Sequence, residues 1–296
     1  MKFGQVEDSS QIDFTLPKDH VRTLEVLKKN KSGFVNFYVG SPTWNKKELK
    51  GFYPKGTKDE LTYYATQFNS IELNATFYRM PSHEQILTWK EKTPENFKFF
   101  PKIPNTISHY RRLLNIDDLV TQFATAVLNF DKNLGMAFLQ LHDNFKPKDY
   151  ERLKQFVAKW PQEVPLAIEL RNEEWFSDEE ILDQICVLFE KHNITNIIVD
   201  TPGRRDMLHM RLTTPNAFVR YVSSNNESDF ERLNDWLKHL NEWKKNGLQN
   251  LYFFVHQNIE KSPRLLSAYF IEKLNKEWDT NINVPVMRQD QMLTLF

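Results

Sequence analysis

Eight short runs rich in aromatic and branched residues recur along this chain of 296 residues, separated by stretches with helical spacing. No other feature limits the available folds as much as this alternation. The runs occupy residues 37–40, 70–77, 97–103, 134–142, 165–171, 196–201, 217–223 and 251–256. Each is close to continuously apolar, which is the pattern of a strand covered on both faces in a parallel sheet.

The intervening segments read as amphipathic helices. Leu61, Tyr64, Ala65 and Phe68 share one face of 58–68, and Leu119, Phe123, Val127 and Phe130 one face of 118–130. Tyr150, Leu153, Val157 and Trp160 form another stripe, and Phe230, Leu233, Leu237 and Leu240 a further one, ended by Gly247. Ser82 with Gln85 and Ser177 with Glu180 have capping-box spacing, opening helices over 84–92 and 181–192. Ser262 as N-cap and Pro263 as first residue open the last helix. Only 202–215, after the sixth strand, is too short for a helix.

Eight strands alternating with helices is the count of a (β/α)8 barrel. The expected fold class is therefore α/β, a single TIM barrel over 34–278. An N-terminal extension, 1–33, carries a short helix near 21–29, and a C-terminal tail covers 279–296. A doubly wound open sheet is the competitor. It normally opens on a glycine-rich turn, and this chain has 8 glycines and no G-x-G-x-x-G.

Charge narrows the partners. Lys and Arg number 39 and Asp and Glu 39, a net charge of zero, so no cation excess exists to displace phosphate counterions broadly. Nucleic acid is not the expected partner, although a local basic groove stays open; a small-molecule ligand bearing phosphate or carboxylate is. No apolar run approaches the roughly 20 residues of a membrane helix, and no membrane partner is expected. The start, MKFGQVEDSSQIDF, lacks an apolar signal region. The single cysteine, Cys186, rules out an internal disulfide, reads as a buried apolar residue and fits a cytoplasmic location. Oligomeric state is not legible.

In a barrel of this kind, catalytic groups sit at the C-terminal ends of strands. Those positions are polar here: Glu72 and Asn74, Lys102, Gln140 and His142, Glu169 and Arg171, Asp200, Arg220, and His256 with Asn258. An unpartnered buried polar group costs about 1–3 kcal/mol, so charge ending almost every strand points to a site, although any one residue could be a structural ion pair. Glu72 and Glu169 are candidate acid/base carboxylates, with Asp200 and Lys102 as further catalytic candidates. Lys102 also suits a Schiff base if desolvated, or an anion counter-ion. His109 with Arg111 and Arg112 reads as an anion-binding loop or a solvated basic turn. Trp44, Tyr53, Tyr78 and Trp175 are candidate stacking groups, with core packing as the alternative. Glu72, His142, Glu169, Asp200 and His256 offer a weak O/N ligand set for a divalent metal, without ligand spacing to support it; no cofactor is expected.

The runs GSPTW, GFYPKG, IELNATFYRMP, LGMAFLQL, IELRNEEWF, IIVDTP and YFFVHQN resemble the domain of unknown function 72, or YecE-like, family. The resemblance spans roughly 37–274 and implies a TIM barrel without implying a reaction. It carries over Trp44, Tyr53, Glu72, Asn74, Tyr78, Lys102, His109, Gln140, Glu169, Arg171, Trp175, Asp200 and Arg220. The chain departs from the family pattern at His142, usually proline, at Asn172, usually histidine, at Tyr221-Val222-Ser223, and at His256-Gln257. Together these features lead us to expect an enzyme acting on a small polar, anionic or sugar-like substrate at the barrel top by carboxylate acid/base chemistry. A non-catalytic ligand- or nucleic-acid-binding protein, and a metal-dependent hydrolase or isomerase, are the alternatives.

Overall fold

A computed structural model describes residues 4, 6–29, 33–256 and 263–286. Asn258, the N-cap Ser262 and the end of the tail lie outside these residues. Eight strands occur where the apolar runs fall: β1 Asn36–Gly40, β2 Ser70–Leu73, β3 Lys98–Pro101, β4 Ala137–Gln140, β5 Leu166–Glu169, β6 Thr195–Asp200, β7 Asn216–Val222 and β8 Asn250–His256. The α-helices are α1 Val21–Lys28, α2 Glu60–Gln67, α3 Ala75–Tyr78, α4 His83–Glu91, α5 Asp117–Leu128, α6 Tyr150–Lys159, α7 Glu179–Lys191, α8 Ser228–Asn246 and α9 Pro263–Trp278. The segment after β6 holds only a 3-10 turn, Pro202–Met207. Among the described residues no helix is long and apolar enough to cross a membrane.

Every strand pair is parallel, but the ladder is not continuous. Six strands run in the order β1-β8-β7-β6-β5-β4, and β2-β3 form a separate pair. Two side-chain features account for the seams. Between β1 and β2, the Asn69 amide takes the place of a ladder rung: Val39 N–H donates to its Oδ1 at 2.9 Å, and its Nδ2 donates to the Phe37 carbonyl at 2.9 Å. Gly40 allows the close approach there, since a Cβ on it would fall 2.4 Å from the Ser70 carbonyl oxygen. Between β3 and β4, Gly135 N–H reaches Phe99 O and Ile103 N–H reaches Phe138 O, both at 2.8 Å. Pro101, between those rungs, has no N–H to continue the ladder.

Two local expectations need correction. The second apolar run predicts a strand through Phe77, yet β2 ends at Leu73 and α3 follows. Thr76 Oγ1 stabilises that turn by donating to Leu73 O at 2.9 Å and Lys102 O at 2.7 Å. The cap of α7 is Asp178 rather than Ser177; its side chain accepts from Glu180 N–H at 2.9 Å. The Ser82 cap of α4 is in place, as is the Gly247 stop of α8 at φ 113°.

Alternation along the strands sorts the side chains. One face buries Phe100, Phe138, Ala167, Val199, Phe218 and Phe254 as an apolar floor. The next residues on that face, two positions on, include Lys102, Gln140, Glu169, Arg220 and His256, so a polar layer lies above the floor. The other face packs on helices, with Tyr221 and Phe253 against Trp236 and Trp243 of α8. The N-terminal segment lies over α8, where His239 Nε2 and Trp243 Nε1 meet Asp19 Oδ1 at 2.7 and 2.9 Å. The segment after α9 reaches α2, where Val286 N–H donates to Gln67 Oε1 at 2.9 Å.

Candidate active site

The polar layer is organised by Arg220 of β7. Its Nε donates to Glu72 Oε2 and its Nη2 to Glu72 Oε1, both at 3.0 Å, while Nη1 donates to Glu169 Oε2. Both carboxylates are fully buried. Each has further donors. Glu72 Oε1 accepts from Asn74 Nδ2 at 3.0 Å, and Glu169 Oε1 accepts from Gln140 Nε2 at 2.9 Å and Arg171 Nε at 2.6 Å. His256 Nε2 lies 2.8 Å from Glu72 Oε2, and because an ionised carboxylate only accepts, that nitrogen carries the proton.

These contacts decide the protonation states. Burial alone pushes both carboxyls upward, but Arg220 and the neighbouring donors overcome it. Glu72, facing Arg220 and His256, is held well below the usual carboxylate range, and Glu169, facing Arg220 and Arg171, at about 2. A carboxylate held ionised at neutral pH has no proton to give. Glu72 and Glu169, expected as acid/base carboxylates, are thus both in the ionised form and frame Arg220.

Lys102, just beyond β3, is the exception in this network. Its Nζ donates to the neutral Gln140 Oε1 at 2.9 Å and lies 4.1 Å from the centroid of the Phe77 ring. It makes no ion pair with either carboxylate. Burial, then the positive charge of Arg220, lowers its pKa from 10.5 to about 7. The amine is thereby brought to lose its proton near neutral pH.

Half-buried rings roof the lysine. Phe77 packs edge-on against His109, and His109 against His142, with centroids 5.0 Å apart in each pair. His109 belongs to a π-helical turn, Thr106–Tyr110, a rare element frequent at functional sites. Ser108 Oγ lies 3.2 Å from Pro104 O and 2.9 Å from His109 Nδ1, which holds the imidazole in place. Burial and the facing His142 lower the His109 pKa to about 4, so the ring is neutral. Beside the roof, a cleft of about 600 Å³ is lined by Trp44, Glu72, Asn74, Tyr78, Arg220 and His256. Tyr78 is 76% exposed and available for stacking.

Five expectations from the sequence fall elsewhere. Asp200 points to the opposite face, because Ile197 and Val199 take the inward positions of β6. It accepts from Arg205, from Arg232 Nη2 at 2.8 Å and from Trp236 Nε1 at 2.7 Å. Tyr53 is buried, its hydroxyl donating to the Trp44 carbonyl. Trp175 is buried too, its Nε1 donating to Phe145 O at 2.8 Å. The metal set diverges: Asp200 faces away, a guanidinium sits between Glu72 and Glu169, and among the described residues no three His, Cys, Asp or Glu converge as ligands. In the expected anion-binding loop, Arg111 instead donates to Asn115 O at 2.7 Å, bracing a turn in which Arg112, Leu113 and Asn115 have positive φ. Phe77, an aromatic just after the second apolar run's strand, supports Lys102, and Gly4, which no sequence pattern marks, packs on Thr201 and Val222 at the ends of β6 and β7.

Residues 38–290 match the model of a family described as protein of unknown function DUF72. The chain belongs to the DUF72 family. Among curated DUF72-like relatives, it is 28% identical to UPF0759 protein YecE of Escherichia coli K12, over 86% of this chain and 99% of the relative. It is 26% identical to UPF0759 protein YunF of Bacillus subtilis, over 69% of this chain and 83% of the relative. Its fold is similar to the crystal structure of a DUF72 family protein from Thermotoga maritima, with TM-score 0.66 and 24% identity over 81% and 99% of the two chains. A DUF72 protein from Enterococcus faecalis gives TM-score 0.65 and 16% identity over 84% and 100%. The parallel α/β architecture is thus shared across DUF72 structures.

Proposed function

We propose that this protein is an enzyme acting on a small anionic or sugar-like substrate at the C-terminal ends of its strands, with Lys102 as the group that changes protonation. In this reading the eight strands act as one (β/α)8 barrel, supported by the backbone bonds that cross both seams, Glu72 N–H to Ser41 O at 3.1 Å and Ile103 N–H to Phe138 O at 2.8 Å.

One observation carries the reading: both carboxylates of the cluster are committed to guanidinium, imidazole and amide donors, while among the described residues Lys102 holds only an amide oxygen and aromatic faces. As an ammonium it lacks an anion, which a ligand supplies. As a neutral amine it is a base of suitable strength at neutral pH. Asn74, Arg171 and His256 orient the ligand, Trp44 and Tyr78 stack on it, and Glu72, Glu169 and Arg220 hold the frame.

The test is thermal shift with phosphate, sulfate and acetate on the wild-type protein and on Lys102→Gln. The expected result is a rise in Tm at millimolar anion, larger below pH 7, and absent in the variant. Equal shifts in both proteins overturn the reading.

A further inference from the structure

We propose that Lys102 is an amine nucleophile that forms a covalent imine with an aldehyde or ketone substrate carrying an anionic group. This deepens the proposal that the strand-end cluster is an active site, and rests on it.

The geometry supports nucleophilic use in three ways. Nζ donates one hydrogen to Gln140 Oε1 at 2.9 Å, which fixes the amine while leaving its other positions without a polar partner among the described residues. Phe77 lies 4.1 Å below it and excludes water from one side, which favours the uncharged amine. No carboxylate pairs with it, although two lie in the same layer, because Arg220 has taken both. A lysine meant only to neutralise a carboxylate would sit in an ion pair here. A pKa near 7 agrees: its neutral fraction at pH 7 exceeds that of an ordinary lysine by a factor on the order of a thousand.

The step balances without an added oxidant or reductant. The Nζ lone pair forms the C–N bond, the carbonyl π pair moves to oxygen, and one N–H proton passes to that oxygen to give a carbinolamine. The hydroxyl then leaves as water when the second N–H proton is lost, giving the C=N bond. His109, packed on the same Phe77 ring as a neutral imidazole, is the neighbouring group suited to take the proton from nitrogen. Arg220 and Arg171 keep Glu72 and Glu169 as counter-charges, and the anionic group of the substrate supplies the one that the Lys102 ammonium lacks.

The experiment is reductive trapping of the full chain with glyoxylate and cyanoborohydride at pH 7, read by peptide mass spectrometry. The expected result is carboxymethylation of Lys102 at least tenfold faster than of exposed Lys47, slowed by added phosphate, and no such adduct in Lys102→Arg. Labelling of Lys102 no faster than of Lys47 overturns the proposal. The two readings separate in the same samples. A phosphate-dependent rise in Tm without trapping rejects the imine and keeps the anion site, whereas neither response rejects both.

Discussion

Arg220 grips Glu72 through two nitrogens and Glu169 through the third, so one guanidinium from β7 ties together the ends of β2 and β5. Removing it leaves two buried carboxylates without their main partner. Arg220→Met should lower unfolding stability by about 3–5 kcal/mol, measured by urea denaturation. Arg220→Lys should restore little, because an ammonium cannot span the same fork. A loss under about 1 kcal/mol would show that the carboxylates are satisfied without it.

The frame also has a pH signature. Glu169 ionises at about 2 in the folded chain against a usual 4.5, so its contribution is complete above 4.5 and falls as pH drops towards 2. Glu169→Gln does not titrate. The stability gap between wild type and Glu169→Gln, measured by urea midpoints from pH 6 to pH 3, should therefore narrow with acid. A gap constant across that range contradicts the ion-paired state.

Asp200 supplies the control. Its partners, Arg205, Arg232 and Trp236, lie on the helix side of β6, so Asp200→Ala should destabilise the fold by about 3 kcal/mol while the anion-induced thermal shift stays at its wild-type size. Loss of that shift in a folded Asp200→Ala protein would return Asp200 to the site.

Much of this was legible in the chain. Strands covered on both faces need near-continuous apolar runs, and all eight strands lie within or beside such runs. Period two along each strand also placed Glu169 with Arg171, and Glu72 with Asn74. The same rule, applied to Ile197 and Val199, would have turned Asp200 outward; reading it by strand-end position alone put it in the ring. Other features depend on residues distant in sequence. The α3 turn relies on Thr76 meeting the Lys102 carbonyl, and the β1–β2 seam on the Asn69 amide. Tyr53 and Trp175 satisfy their polar atoms on carbonyls of other segments, which no local pattern announces. The joint hold of Arg220 on two carboxylates needs β7 to face both β2 and β5.

Cys186 offers a check on packing. It is fully buried in α7, and burial pushes its thiol up to about 12. Native protein should give no reaction with a thiol-specific disulfide reagent at pH 8 over minutes, and one equivalent after unfolding in guanidinium. Rapid labelling of native protein would mean that α7 does not pack as described.

The most direct test is the titration of Lys102 itself, followed by side-chain ¹⁵N NMR of the amine and assigned by Lys102→Arg. The expected midpoint is near 7, with the resonance shifting when phosphate is added. A midpoint near the ordinary lysine value of about 10.4 would mean that Lys102 is a plain cation, and the site would lose the group on which its chemistry depends.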